Sequence, residues 1–512
     1  MTGYRNPVIR GHAPDPSAVR VGDDYFLANS SFGFLPGIPI SHSTDLVNWR
    51  TIGFAATRPA QYRRDGESGP VNLFAPTLRH HDGVFHLVCT NQADEQGNFL
   101  LRADDPAGEW SDAVWLDREA FDPSLFRDED GQWYYTRRTL EFRPDGDLGP
   151  IVQTTIDLDS GALGEFHAIT ANNRGFESND IEGPHLYRRG DWYYLTAAEG
   201  SSWKGHMQTI GRGRTPWGPF EPAPDGPILT HRHRVAHPIQ TVGHAELIDD
   251  GAGNWWALSL GTRQSPFASH HLLGRETFLT PIEWPDGGWP SAVNRGTEPA
   301  YEGVTLPGGG RPDTDHKVRD SLWLRGWRTL GGPDPRLDPR ADDRAIRLPA
   351  GADLTARPLL GALLRAQSEY DQTFESTIES DAGVIAGVAV YANSTHHYSA
   401  LVTGHGDERR IRFRRVVDDL STETWAALPG DHAIRLRITA SALEYIFEMQ
   451  LDDSWLPVGT GGARLLSAEA IEWFTNVNFA LAAIGDAGSA LFTSTRVGIP
   501  DTIRTPSFQL PY

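Results

Sequence analysis

The stretch DPSAVRVGDDYFLAN, at residues 15–29, is the first of five segments that share one pattern. In each segment a small or charged residue, often with a proline beside it, precedes a short hydrophobic run, a turn rich in Gly or Asp, and an aromatic run. The other four segments are APTLRHHDGVFHLVCT (75–90), DPSLFRDEDGQWYYTRR (122–138), EGPHLYRRGDWYYLTAA (182–198) and HAELIDDGAGNWWALSLG (244–261). Each predicts a β-hairpin, and they recur every 50 to 60 residues or roughly so, slightly above the usual spacing of propeller blades. Five such units predict a five-bladed β-propeller.

The residues that open the five predicted inner strands are Asp15, Ala75, Asp122, Glu182 and His244. Equivalent positions of successive blades converge on the central axis of a propeller. We therefore expect three carboxylic acids and one imidazole around a single axial pocket, although Glu182 lies one position earlier relative to its proline than the two aspartates do. The alternative is that these acids cap turns or fix the geometry of the blades.

A second domain is predicted beyond a stretch rich in Gly and Pro at about residues 297–319. Alternating segments such as GVIAGVAVYAN, AIRLRITA and EYIFEMQL predict short antiparallel strands, and a helix is expected only around Ser467 to Phe474. The fold class is therefore all-β, with a five-bladed propeller at residues 1–305 followed by a jelly-roll-like β-sandwich at residues 320–512.

The composition is that of a soluble globular protein: 39% of the 512 residues are hydrophobic and 22% are charged. The formal net charge of −21 repels phosphate backbones and anionic lipids, so neither nucleic acid nor a membrane is an expected partner. The one cysteine, Cys89, lies in a predicted strand, which favours a buried structural thiol. Because it excludes an internal disulfide, and because no apolar leader segment is visible, we expect a cytoplasmic protein.

Paired carboxyl groups are what glycosidic bond cleavage requires: one protonates the leaving oxygen, and the other attacks the sugar or activates water. Asp15 on the first blade and Glu182 on the fourth would face each other across the axis. A general acid must hold its proton near neutral pH, and a nearby like charge together with desolvation raises a carboxyl pKa. Asp122 is placed to supply that charge, and we assign it the role of orienting Glu182. The alternative for Asp122 is a purely structural role in its blade.

Sugar sites also need aromatic walls. The candidates near the predicted pocket are Phe32, Phe34, Phe74 and Phe121, each of which could equally serve core packing. Arg263, which follows the fifth aromatic strand, would hydrogen-bond sugar hydroxyls or lower the pKa of Asp15. A structural ion pair is the alternative for Arg263.

His244 is the one histidine at an axial position. It would hydrogen-bond the substrate or Asp15, or touch a hydrated calcium or sodium ion on the axis. The spacing of the other histidines matches no zinc signature, so no metal ligands are assigned.

Several motifs then resemble glycoside hydrolase family 43, the five-bladed propellers that include β-xylosidases and α-L-arabinofuranosidases. These motifs are NPVIRGHAPDPS (6–17), PGIPISHSTDLVNW (36–49), FDPSLF (121–126), IEGPHLY (181–187) and HHLLGRETFL (270–279). By this resemblance Asp15 is the general base, Asp122 modulates the pKa of the acid, and Glu182 is the general acid. The region after residue 320 is similar to the sandwich domain appended to β-xylosidases of that family.

The resemblance implies hydrolysis with inversion, no required cofactor, and exo action that releases β-D-xylose or α-L-arabinofuranose from the non-reducing ends of short plant-type oligosaccharides. It also implies that an aromatic of the sandwich reaches the pocket rim, with Phe474 and Phe479 as candidates, and a homo-oligomer is an open expectation. The chain departs from the family pattern at Gly33, Phe34 and Leu35, and in having Phe74 where Trp or Tyr is common. These departures leave the choice of sugar open.

The sequence leaves two alternative functions to compare with this one. A non-catalytic carbohydrate-binding propeller would lack at least one of Asp15, Asp122 and Glu182, and all three are present. A glycosidase of another sugar specificity, such as a fructosidase, would need an aspartate nucleophile in a different opening motif.

Overall fold

A computed structural model describes residues 4–118, 120–139, 150–170, 175–178, 180–234, 236–265, 270–292, 302–303, 320–342, 344–428 and 430–500. Over these residues the chain is almost entirely β-strand, which confirms the all-β class. It divides into two compact units, Met1–Arg263 with Arg275–Val318, and Gln264–Gly274 with Arg319–Tyr512. The expected domains, 1–305 and 320–512, stay a prediction at their ends, because the junction lies outside the described residues.

Five antiparallel sheets, four of them with four strands and one with five, make up most of the first unit in the described residues, and each one begins with a hairpin that the sequence predicts. Sheet 1 contains Ser17–Val21, Asp24–Ala28, Gly37–Ser43 and Arg50–Ala56, and sheet 2 contains Leu73–His81, Val84–Asn91, Gly97–Ala103 and Val114–Trp115. Sheet 3 contains Ala120–Arg127, Trp133–Thr139, Ile151–Thr155 and His167–Ala168. Sheet 4 contains Ile181–Arg189, Trp192–Glu199, Met207–Gly213 and Glu221–Pro222, with Leu229–Thr230 beside its third strand. Sheet 5 contains Ile239–Asp249, Trp255–Arg263, Glu276–Glu283 and Ser291–Ala292. Tyr4–Arg5 pairs with Glu302–Gly303, and Phe34–Leu35 is a further short strand.

The first strands of the five sheets contact one another in the cyclic order 1-2-3-4-5-1. Side-chain hydrogen bonds join several of these neighbours. Ser17 of sheet 1 donates to the Glu246 carboxylate of sheet 5 (2.5 Å) and accepts from Leu78 N of sheet 2 (2.9 Å). Ser124 of sheet 3 lies 3.1 Å from His185 Nδ1 of sheet 4. Each first strand therefore has the first strands of two other sheets as neighbours.

The second unit consists of two sheets. One contains Trp327–Leu330, Leu359–Ala366, Ile385–Asn393, His396–Thr403, Arg410–Val417, Leu420–Ala427 and Asn478–Ile484. The other contains Ala345–Pro349, Gln372–Ser380, Ile434–Ala440, Glu444–Leu451, Ser454–Gly462 and Ser489–Gly498. Phe479 of the first sheet stacks on Phe374 of the second with ring centroids 5.2 Å apart, and both rings are fully buried. The expectation that Phe479 lies on a pocket rim is therefore wrong, since it belongs to the core of the sandwich.

Helical structure is confined to short turns in the described residues. These are the 3₁₀ turns Pro59–Gln61, Ala93–Glu95, Gly406–Glu408 and Ala463–Leu466 and the α-helical turn Ala468–Ile471. Ser467 caps this last turn by accepting a hydrogen bond from Ala470 N. The turn lies where the sequence predicts a helix but is shorter than expected. No helix within the described ranges has the length and apolarity to cross a membrane.

Candidate active site

A backbone distortion recurs within the first strand of each sheet or just before it. Five residues adopt positive φ there: Asp15 (52°), Ala75 (36°), Asp122 (55°), Gly183 (56°) and His244 (45°). Non-glycine residues rarely adopt this conformation, and such residues cluster at functional sites. The repeat therefore aims the same structural position of every sheet toward the axis.

Gly183, not Glu182, is the equivalent of Asp15 and Asp122 in sheet 4. The expectation of three acids at equivalent positions is therefore wrong for Glu182, which lies one residue earlier and pairs with Ala198 of the neighbouring strand. A Cβ on Gly183 would lie 2.9 Å from His244 Nε2, so a side chain at that position would collide with the histidine. In the fourth repeat the carboxyl group of the site is therefore carried by Glu182, the residue before Gly183.

Asp15 is held as a carboxylate by the groups around it. The side chain is buried, accepts a hydrogen bond from Ser30 Oγ (2.5 Å), and lies 3.3 Å from Arg275 Nη1 and 3.8 Å from His244 Nδ1. Burial alone would raise the pKa of Asp15, but Arg275, His244 and the Ser30 hydroxyl outweigh it and lower the pKa below the ordinary value. Asp15 is thus ionised and ready to accept a proton.

Glu182 has the opposite character. Burial raises its pKa to about 7, an effect that Arg138 opposes and that the negative charges of Asp180 and Asp15 reinforce. Arg138 Nη1 lies 3.1 Å from Glu182 Oε2 and 3.1 Å from Asp180 Oδ1. A carboxyl group with this pKa is protonated at neutral pH in a large fraction of molecules, as a general acid must be.

Asp122 lies close to Glu182, as the sequence predicts. Its carboxylate accepts a hydrogen bond from Gly183 N (2.9 Å), the residue that follows Glu182, and so fixes the backbone on which the acid is carried. Burial and the charges of Glu182 and Asp15 raise the pKa of Asp122. One buried and one half-buried carboxyl so close together resist ionising at the same time, so the pair retains a proton near neutral pH.

These groups converge on one place. Ligand atoms of Asp122, Glu182 and His244 all lie within 4.8 Å of one another, and His244 in turn lies beside Asp15. Asp15, Asp122 and His244, together with residues of the other two inner strands, line a cavity of about 10 Å³, close to the smallest volume that holds one water molecule. The structure therefore brings Asp15, Asp122, Glu182 and His244 together as the sequence predicts.

The four predicted aromatics lie beside these charged groups. The Phe32 ring is 4.9 Å from that of Phe74, while the His12 ring is 5.5 Å from Phe32 and 5.7 Å from Phe34. Phe121 lies under the Arg138 guanidinium at 4.9 Å. Phe34, Phe74 and Phe121 are half-buried and Phe32 is buried, so the first three retain surface that a sugar ring can contact.

Arg263 does not take the predicted role. Its guanidinium forms a bidentate ion pair with the fully buried Glu276, at 2.7 and 2.8 Å, which favours the structural alternative. Arg275 occupies the place expected for Arg263: it contacts Asp15, donates to Ser202 Oγ (3.1 Å), and lies 5.0 Å over the Phe32 ring. In the sequence, Arg275 is marked only by its place in the family-like motif HHLLGRETFL.

Three further residues of the site were missed. Arg138 is the partner of the acid, Ser30 is the hydrogen-bond donor to the base, and His12 joins the aromatic group. Arg138 is opposite Phe121 in the hairpin register, so pairing the two strands of the third repeat would have placed it near Asp122. Neither Ser30 nor His12 carries a pattern that separates it from other polar residues. Cys89, by contrast, is buried as predicted and donates to Phe74 O.

One ionised and one protonated carboxyl in a single site are the requirement for glycosidic bond cleavage. The family model for glycosyl hydrolases family 43 matches residues 4–290. The chain belongs to this family. A second family model, for the concanavalin A-like C-terminal domain of β-xylosidases, matches residues 323–496. The protein is thus a family 43 glycoside hydrolase with an appended sandwich domain.

Relatives of known activity extend over nearly the whole length. The family 43 chain is 34% identical over 499 residues to a non-reducing end α-L-arabinofuranosidase from Bacteroides ovatus, which covers 94% of this chain and 92% of the relative. It is 30% identical over 494 residues to a xylan 1,3-β-xylosidase from a Vibrio species, covering 90% and 91% of the two chains. A crystal structure of a xylan β-1,4-xylosidase from Bacillus halodurans superposes with a TM-score of 0.87 at 27% identity, covering 96% of this chain and 99% of that one.

Proposed function

We propose that this family 43 enzyme is an inverting, exo-acting hydrolase that releases β-D-xylose, α-L-arabinofuranose or both from the non-reducing ends of short plant-type oligosaccharides. The observation that carries the proposal is the opposite pKa shift of two carboxyl groups in one site: that of Asp15 lowered and that of Glu182 raised to about 7. Such a pair divides into a base and an acid at neutral pH.

In the proposed reaction the Asp15 carboxylate takes a proton from a water molecule while the water oxygen attacks the anomeric carbon. The Glu182 carboxyl transfers its proton to the glycosidic oxygen as the bond to the anomeric carbon breaks. Both steps belong to one displacement, so the configuration at the anomeric carbon inverts. Afterwards Asp15 holds a proton and Glu182 is ionised, and exchange with solvent restores the starting state.

Asp122 and Arg275 support these two groups. We assign Asp122 the role of keeping Glu182 in position through Gly183 N and of disfavouring loss of the shared proton. Arg275 stabilises the ionised form of Asp15. The half-buried Phe34, Phe74 and Phe121 would pack against the sugar, and His244 would donate to a hydroxyl group.

A closed five-bladed propeller is the fold that we infer for the first unit. The five antiparallel sheets and the cyclic contacts of their first strands support it. In this arrangement all five inner strands deliver one residue to the same axial site.

The choice of sugar is tested by comparing 4-nitrophenyl β-D-xylopyranoside with 4-nitrophenyl α-L-arabinofuranoside under identical conditions. We expect turnover of at least one of them, because relatives of both activities align over nearly the whole chain. Proton NMR of the first-formed sugar then tests the mechanism: the β-xyloside should release α-xylose before mutarotation. If β-xylose is the first product, inversion is wrong.

The pH dependence of kcat/KM should be bell-shaped. Glu182 acts in its protonated form, so activity declines as pH rises through about 7, the pKa of that group. Asp15 acts in its ionised form, and because its pKa is lowered, activity persists into the acidic range and declines only below the ordinary titration of aspartate.

Two variants with opposite effects test the assignment of the basic limb. Asp180→Asn removes a charge that raises the pKa of Glu182, so the limb should move to lower pH, whereas Arg138→Gln removes the opposing charge and should move it to higher pH. Movement of both variants in the same direction would contradict the assignment.

Four expectations from the sequence stay predictions. They are the independence from cofactors, a calcium ion near His244, a homo-oligomer, and a cytoplasmic location. For the ion, Asp122, Glu182 and His244 offer three ligand atoms close together. However, a cation bound to Glu182 would favour its ionised form and so oppose its use as an acid. We therefore propose catalysis by the carboxyl pair without a metal ligated by Glu182.

A further inference from the structure

The residues between the second and third strands of sheet 5 leave their own unit. Gln264–Gly274 belongs to the sandwich unit, whereas the residues on both sides of it, up to Arg263 and from Arg275, belong to the first unit. The two flanks are tied to each other by the Arg263–Glu276 ion pair, and Glu276 also accepts from Gly11 N (2.8 Å). The segment Gln264–Gly274 is therefore joined at both ends to residues that the Arg263–Glu276 ion pair holds together.

Within the sandwich unit this segment is held by a pair of residues that we call the His271–Glu469 clamp. His271 N donates to Glu469 Oε2 (3.0 Å), and His271 Nδ1 donates to Glu469 Oε1 (2.9 Å). One carboxylate thus binds both the backbone and the side chain of a single buried residue. Charge-assisted hydrogen bonds of this type are stronger than neutral ones.

The residue after the clamp is fixed as well. Leu272 is fully buried among the hydrophobic residues of the sandwich core, and its carbonyl accepts a hydrogen bond from Val477 N (2.8 Å). Gly274 then turns the chain with a φ of 78°. Only three residues, Leu272 to Gly274, lie between His271 and Arg275, so the Cα atoms of these two residues are at most about 14 Å apart. A short, buried connection of this kind leaves Arg275 little freedom of its own.

Arg275 is the first residue of the first unit after the segment Gln264–Gly274. Its guanidinium is buried and lies 3.3 Å from Asp15 Oδ1 and 3.1 Å from Ser202 Oγ, while its carbonyl accepts from Ala13 N (2.9 Å). The other charged and titratable groups that act on Asp15 share its surroundings in the site; they are His12, His206, His244, Cys89, Asp122 and Glu182. Among all of these, Arg275 is the one permanent positive charge beside the base at hydrogen-bonding range in the described residues.

We propose that the His271–Glu469 clamp positions the Arg275 guanidinium against Asp15, so that Glu469, a residue of the sandwich, is a positioning residue for the general base. This inference rests on the proposed function of Asp15.

The test is Glu469→Ala in the full-length chain, with Glu472→Ala as the matched control. Glu472 is an exposed carboxylate at the end of the same helical turn, so its loss changes the charge of that turn equally without removing the clamp. For Glu469→Ala we expect kcat/KM to fall about 10- to 100-fold, the size of effect that misplacing a catalytic group by about 1 Å produces. We also expect the acidic limb of the pH profile to move to higher pH, because a displaced Arg275 no longer favours the carboxylate. Glu472→Ala should behave as wild type.

Glu469→Gln separates positioning from general stability. The glutamine retains one carbonyl oxygen for His271 N, so both the rate and the acidic limb should return part of the way to wild type. It also serves as the decisive variant if Glu469→Ala does not fold. A loss of kcat/KM with an unmoved acidic limb in either variant would make the clamp merely structural, and wild-type values in both would refute its role.

Failure of the proposed function gives a different result. If the wild-type enzyme hydrolyses neither aryl pentoside, or if Asp15→Ala retains wild-type activity, the base assignment falls. If wild type is active, Asp15→Ala is inactive and the Glu469 variants keep the wild-type acidic limb, only the clamp proposal falls.

Discussion

Asp15→Ala should lower kcat for aryl pentosides by roughly 10³- to 10⁴-fold, the upper range for loss of a general base. The two other catalytic carboxyl groups of the site, Asp122 and Glu182, both have raised pKa values, so neither is expected to replace Asp15 as the base. Folding should be retained, because alanine already occupies the equivalent position of sheet 2 with the same left-handed backbone, at Ala75. Initial rates, with circular dichroism of the purified variant, measure both properties.

The matched control for that variant is Asp23→Ala, which removes an exposed carboxylate from the turn of the same hairpin. It should leave kcat and KM at wild-type values. Near wild-type turnover by Asp15→Ala would contradict the assignment of Asp15 as the general base, regardless of the result for Asp23→Ala.

Glu182→Gln should reduce turnover of an unactivated oligosaccharide by roughly 10²- to 10⁴-fold and that of an aryl glycoside much less. A glycosidic oxygen attached to a sugar cannot leave without a proton, whereas 4-nitrophenolate can. Glutamine keeps an oxygen that accepts from Arg138, so the geometry of the ion pair is conserved while the transferable proton is lost. Comparing xylobiose or an arabino-oligosaccharide with the matching nitrophenyl glycoside measures this difference.

Equal losses on both kinds of substrate would contradict the role of Glu182 as proton donor and would point to a role in binding. The basic limb of the pH profile, which we assign to Glu182, should also vanish in this variant. Persistence of that limb near its wild-type position would assign it to another group.

The five hairpins and the all-β class could be predicted because each repeat carries its own local signals, an alternating pattern and a turn. The convergence of Asp15, Asp122 and His244 followed from the same repeat, since equivalent positions meet at the axis. The offset of Glu182 could be counted in the sequence but not explained there. Its reason is a contact between distant residues, the approach of His244 to Gly183.

The exchange of Arg263 for Arg275 shows the limit of reading from the sequence. Both arginines flank the same loop, and nothing local tells which guanidinium faces Asp15. The choice depends on Glu276, a buried carboxylate that captures Arg263 and leaves Arg275 for the site. In the same way, the sequence does not distinguish Phe479 from Phe474 as a candidate for the pocket rim. The structure does, because Phe479 stacks on Phe374 in the core of the sandwich.

The residues with a left-handed backbone conformation in the inner strands are needed for catalysis but lower the thermal stability of the protein. Aspartate or histidine in that conformation costs about 1–3 kcal/mol relative to relaxed backbone, and Asp15, Asp122 and His244 all adopt it. Glycine, as at Gly183, adopts it without the steric penalty. Selection for thermal stability alone would therefore favour glycine at these positions. The resulting protein would be more stable but would have no catalytic activity.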